Sequence, residues 1–136
     1  MENTVLAVDI GGSHVTSAII HLKKKKEIKS TWTRNLLDAS GTSEQIISCW
    51  ASTILRTIEC MGVRPSKVKI AMPGPMDYPG GICLIEDQAK FRSLYGLNIK
   101  ALLAAEIGFD PEGISFHNGA ACFLKGEIVS DSTGNY

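Results

Sequence analysis

The 136 residues make a chain of ordinary single-domain length, enough to bury roughly two-thirds of the surface that the unfolded form exposes. Its 14 Lys and Arg balance 14 Asp and Glu, so no global field draws it to nucleic acid or an anionic membrane, and any anion site must be local. Met1 to Thr4 lead into an alternating segment without the basic stretch and apolar core of a signal peptide, and no apolar run approaches the roughly 20 residues of a membrane span, so a soluble cytoplasmic protein is expected.

Val5, Ala7 and Asp9 alternate with Leu6, Val8 and Ile10 in a run too short for a helix, which predicts a largely buried strand ended by Gly11 and Gly12. A second strand, His14 to Leu22, follows at once, and the two glycines between supply the permissive backbone of a hairpin turn. The first two strands are therefore antiparallel. Lys23 to Lys26 read as a solvated hairpin tip before a third strand, Glu27 to Arg34. Thr42 and Gln45 match a capping box. The helix begun there shows Ile46, Ile47, Trp50, Ile54, Leu55, Ile58 and Met61 on one face and stops at Gly62. Val68 to Met72 form a strand that Pro73, Gly74 and Pro75 cannot continue. The Gly80 and Gly81 turn leads to Ile82 to Ile85. Asn98 caps a helix through Ile107 that ends at Gly108, Gly113 to Phe116 form a strand, and Asn118 caps a helix from about Gly119 to Ile128. These elements describe an α/β layer fold with mixed strand directions. No Walker loop and no G-x-G-x-x-G follows any strand.

Cys49, Cys60, Cys83 and Cys122 lack a C-x-x-C pair and a histidine at ligand spacing, which favours reduced thiols and no zinc site. His14 reads as a turn residue near phosphate, and His21 and His117 as structural.

Asp9 at a strand end, beside Gly11, Gly12 and Ser13, makes a turn able to take an anion. Backbone N–H groups unshielded by side chains can approach a phosphate, Asp9 can hold Mg²⁺ through water, and Ser13 adds a hydroxyl. A plain Gly-Gly hairpin with an aspartate at its shoulder is the alternative.

That turn has companions. Val5 to Ser13 (VLAVDIGGS), Ile70 to Asp77 (IAMPGPMD) and Asn118 to Glu127 (NGAACFLKGE), with Leu94 to Leu103 (LYGLNIKALL) between, resemble in order and rough spacing the ROK (repressor, open reading frame, kinase) sugar kinases over nearly the whole chain. The resemblance implies a ribonuclease-H-like (actin-like ATPase) lobe with a mixed sheet of about five strands and three helices, residues 1–130 being the N-terminal lobe and 131–136 a polar tail. It implies ATP and Mg²⁺ for the complete enzyme and a hexose or N-acetylated amino sugar as acceptor. By position, Asp9, Gly11, Gly12 and Ser13 match the first phosphate motif, where Ser13 replaces the usual threonine and keeps its hydroxyl. Gly81 and Gln88 fall where the family has a glycine and often an asparagine touching the sugar, and Asn118 matches an asparagine that bonds a sugar hydroxyl, although an ordinary helix cap explains it too.

Two departures bear on activity. The family pattern reads Asn-Asp where this chain has Asn118 and Gly119, so the carboxylate that takes the proton from the sugar hydroxyl is missing. A positioned base contributes typically 10² to 10⁴ in rate. Glu127 lies roughly 12 Å farther along the helix at 1.5 Å per residue, and Asp77 and Glu86 lie in loops that sequence does not place. The second departure is length: the family's second phosphate motif and adenosine pocket fall beyond Tyr136, so little nucleotide affinity is expected of these residues alone. Three readings follow. They are part of a sugar kinase, a non-catalytic sugar-binding module or regulator remnant, and a lobe that self-associates as a homodimer.

Overall fold

The computed structural model describes residues 4–21, 26–62, 64–86 and 90–118, with only the backbone described for residues 26–30 and Met61. The strand β1 (Thr4–Ile10) returns through β2 (His14–His21) and β3 (Lys26–Leu36), all antiparallel, because three residues suffice to turn β1 into β2. β4 (Val68–Ala71) and β7 (Ile114–His117) then add parallel to β1, giving a five-stranded sheet of order β3-β2-β1-β4-β7. A parallel pair cannot be closed by a tight turn, and helices supply the crossovers. They are α1 (Ser43–Met61), between β3 and β4, and α2 (Ile99–Ile107), between β4 and β7. A small second sheet pairs β5 (Met76–Asp77) with β6 (Ile82–Cys83).

The caps expected for α1 and α2 are present. Thr42 accepts the Gln45 N–H at 3.1 Å while the Gln45 side chain accepts the Thr42 N–H at 2.9 Å, and Gly62 and Gly108 end the two helices in the left-handed conformation. The third expected helix, beginning at Gly119, lies outside the described residues. The helices cover one face of the sheet, where Leu6, Val8, Ile10, Val15, Ile19, Val68, Ile70, Ile114 and Phe116 pack with Ile46, Trp50, Ile54 and Leu103 in one core. At Ala18 the β2–β3 register slips, and the Thr31 hydroxyl accepts the Ile19 N–H at 2.8 Å. Polar contacts stitch α1 to β3: Asn35 donates to Thr53 Oγ1 at 2.7 Å, and the Thr57 and Thr33 hydroxyls meet at 3.0 Å. No helix among the described residues is long and apolar enough to cross a membrane.

Candidate functional site

The parallel strands β1, β4 and β7 point the same way, so the segments that leave their carboxyl ends share one edge of the sheet, where open α/β sheets bind ligands. Those segments are Asp9 to Ser13, Met72 to Gly74, and His117 with Asn118. Their alignment follows from the register. Asp9 pairs with Ala71 and Ala71 with His117, while on the other side Asp9 pairs with Thr16 and Thr16 with Arg34. Directly paired residues face the same side of a sheet, so Arg34, Thr16, Asp9, Ala71 and His117 form one cross-strand row on the face away from α1 and α2.

In the β1–β2 turn, the Gly11 N–H is used within the hairpin, bonded to the His14 carbonyl at 2.9 Å. The donors left for an anion are therefore those of Gly12 and Ser13, which have no partner among the described residues. The Ser13 carbonyl accepts from Leu37 N–H at 2.8 Å, and its hydroxyl pairs with His14 Nδ1 at 3.0 Å. The turn is thus pinned to the end of β3 by the Ser13 carbonyl, while the N–H groups of Gly12 and Ser13 are left without a partner among the described residues. Asp9 is half-buried, and burial pushes its carboxyl above the ordinary aspartate range, an effect that the positive charge of Arg34 partly offsets. Among the described residues no group of three or more His, Cys, Asp or Glu accompanies it. A single half-buried carboxylate fits an ion that keeps its water shell, as Mg²⁺ does, and not one needing a full protein cage.

Asn118 leaves β7 beside an open cavity of about 530 Å³ lined by Tyr78, Pro79, Lys100 and the end of β7. Gly81 lies under that cavity and not on its wall. It is buried in the left-handed conformation, its carbonyl accepts the Ile99 N–H at 2.8 Å at the start of α2, and the Lys100 side chain covers it. What the cavity presents at this place is Lys100, whose ammonium donates to the Pro79 carbonyl at 3.0 Å. Asp77 is occupied in its own turn, accepting from Gly80 N–H at 3.1 Å. Glu86 is exposed. His117 Nε2 lies 2.9 Å from Ser115 Oγ. Gln88 and Gly119 lie outside the described residues. Cys49 and Cys83 are free thiols, pushed up by burial.

Sequence reasoning missed Lys90. Its side chain lies across Gly12 so closely that a Cβ there would meet Nζ directly, Cδ at 2.8 Å and Cε at 3.0 Å. Beside it a cavity of about 190 Å³ is lined by Gly12, Pro73, Gly74, Ile85, Lys90 and Phe91. No local pattern announces a contact between residues so far apart in the chain.

No family model and no curated protein matches this chain. Solved structures do. The ROK hexokinase of Thermus thermophilus is 17% identical with a TM-score of 0.65, over 85% of this chain and 35% of that one. The inorganic polyphosphate/ATP-glucomannokinase of Arthrobacter sp. strain KM is 20% identical with a TM-score of 0.67, over 86% of this chain and 44% of that one. A ROK family glucokinase from Streptomyces griseus, solved with glucose and AMPPNP, is 16% identical with a TM-score of 0.64, over 85% and 33%. The chain has the fold of the ROK sugar kinases, a lobe of the ribonuclease-H-like, actin-like ATPase class, and spans less than half of each of these proteins. At these identities the likeness is one of fold.

Proposed function

We propose that this chain is the N-terminal lobe, over residues 1–130, of an ATP-dependent kinase for a hexose or an N-acetylated amino sugar, working in the cytoplasm. One observation carries the reading: the Asp9 to Ser13 turn, the Met72 to Gly74 loop and Asn118 leave aligned positions on one edge of a sheet whose fold is that of sugar kinases. The N–H groups of Gly12 and Ser13 would seat a phosphate, Asp9 would hold Mg²⁺ through water, and Asn118 would bond a sugar hydroxyl, with Gln88 setting part of the preference among sugars. Mg²⁺, when bound, supplies charge neutralisation for the transferred phosphoryl group.

Gly119 cannot take a proton from the acceptor hydroxyl, so phosphoryl transfer is slow or absent while the binding elements remain. That residue also supports a second reading of the same site, a non-catalytic sugar-binding module. A coupled assay of the complete gene product against hexoses and N-acetylated amino sugars separates the two. The kinase reading expects Gly119→Asp to raise turnover by about 10² or more, the usual worth of a positioned base. A Gly119→Asp protein that binds sugar and leaves ATP unused supports the binding module and overturns the kinase.

A further inference from the structure

Lys90 is held over the phosphate turn by a backbone that strains to put it there. Its neighbour Phe91 adopts the left-handed conformation at φ 64°, unfavourable for a bulky residue and kept where the surroundings over-determine it. The surroundings do so here. Phe91 is 2% exposed, its ring stands against Trp50 with centroids 6.3 Å apart, and its N–H donates to the Ala39 carbonyl at 2.7 Å. Two residues on, the Ser93 hydroxyl donates to the Gly41 carbonyl at 2.8 Å. The segment is therefore clamped to the loop before α1, and Lys90 leaves the clamp pointing at Gly12.

Among the described residues the ammonium group meets no carboxylate. Among the described residues Lys90 has neither an ion pair nor a hydrogen bond, and it is exposed. An unpaired cation placed against two free backbone donors, in a cavity whose other walls are proline, glycine and apolar side chains, is arranged for an oxyanion. Resting on the reading of this turn as a phosphate seat, we propose that Lys90 is a phosphate-contacting residue, its ammonium joining the Gly12 and Ser13 N–H groups around the terminal phosphoryl group of a polyphosphate chain. That chemistry is common to a nucleoside triphosphate and to inorganic polyphosphate. The covering of Gly12 fits that role: the flexible lysine moves off the glycine as the anion enters and remains as its ligand. It also accounts for glycine at 12, since a side chain there would displace the lysine.

Binding of inorganic tripolyphosphate and of MgATP, measured by calorimetry on the chain and on Lys90→Met and Lys90→Arg, tests this. Lys90→Met is expected to weaken tripolyphosphate binding about 10-fold or more, the usual worth of a charge-assisted hydrogen bond, and Lys90→Arg to keep it within about 3-fold. Tripolyphosphate should also protect Lys90 from acetylation, read by mass spectrometry. A loss shared by MgATP assigns the site to the nucleotide, and a loss confined to tripolyphosphate assigns it to inorganic polyphosphate. If Lys90→Met binds like the parent while the Gly12 and Ser13 amide resonances respond to tripolyphosphate, the lysine is not a ligand and the phosphate turn stands. If the parent chain shows no response at those amides, both are overturned.

Discussion

Asp9 and Arg34 occupy one row of the sheet with Thr16 between them, their backbones roughly 10 Å apart across the strands at the usual strand spacing. Burial raises the carboxyl of Asp9, and the arginine charge opposes that rise from across the intervening strand. A group whose folded pKa lies above its unfolded value is favoured by the fold when protonated. That contribution is complete below the unfolded value of about 3.9 and is lost as pH rises through the folded one. Asp9→Asn should therefore raise the urea midpoint at pH 7 and make no difference near pH 3. A midpoint unchanged at pH 7 contradicts the burial of this carboxylate. Arg34→Ala should move the Asp9 titration, followed by carboxyl carbon resonances, further upward.

Much of the frame was legible because its signals are local. Thr42 with Gln45, Asn98, Gly62 and Gly108 each act through hydrogen bonds within a turn of their own position, and the β1–β2 hairpin needs only its glycines. What escaped depends on contacts across the chain. β5 and β6 have two residues each, too few for a periodic pattern. Phe91 is left-handed because Trp50 and Ala39 hold it, and neither can be paired with it from sequence. In the candidate site, the Asp9 turn and Asn118 were readable as motifs. Lys90 was not, and Gly81 proved to be covered by Lys100 because a sequence does not show which side chain lies over a glycine.

The capping box at α1 should contribute measurably to stability. Removal of the Thr42 hydroxyl leaves the Gln45 N–H without its acceptor, so Thr42→Ala is expected to cost about 1 kcal/mol in urea denaturation. Thr42→Ser should recover most of it.

Arg64 closes the other helix. Its Nη1 donates to the Ile107 carbonyl at 2.8 Å and the Gly108 carbonyl at 3.0 Å, and its guanidinium lies 4.6 Å from the centre of the Phe109 ring. A cation at a helix carboxyl end satisfies carbonyls that have no partner within the helix. Arg64→Ala should cost about 1 kcal/mol, and hydrogen exchange at the α2 amides should rise more than at those of α1.

Phe91 joins stability to the site. Phe91→Ala removes a buried ring from beside Trp50 and should cost about 3 kcal/mol, with a red shift of Trp50 emission as water gains access. Because Phe91 places Lys90, the same variant should weaken tripolyphosphate binding in whatever fraction stays folded. A folded Phe91→Ala chain with unchanged affinity would separate the clamp from the lysine.

The most direct test of the kinase reading is a nitrogen-15 NMR titration of the chain, first with MgATP and then with a hexose or N-acetylated amino sugar. MgATP, even at weak affinity, is expected to move the Gly12 and Ser13 amides, and the sugar to move Asn118 on the same edge of the sheet. Perturbations confined to the groove between α1 and α2, lined by Ile47, Leu97, Leu102 and Glu106, or no perturbation at Gly12, Ser13 and Asn118, would contradict it.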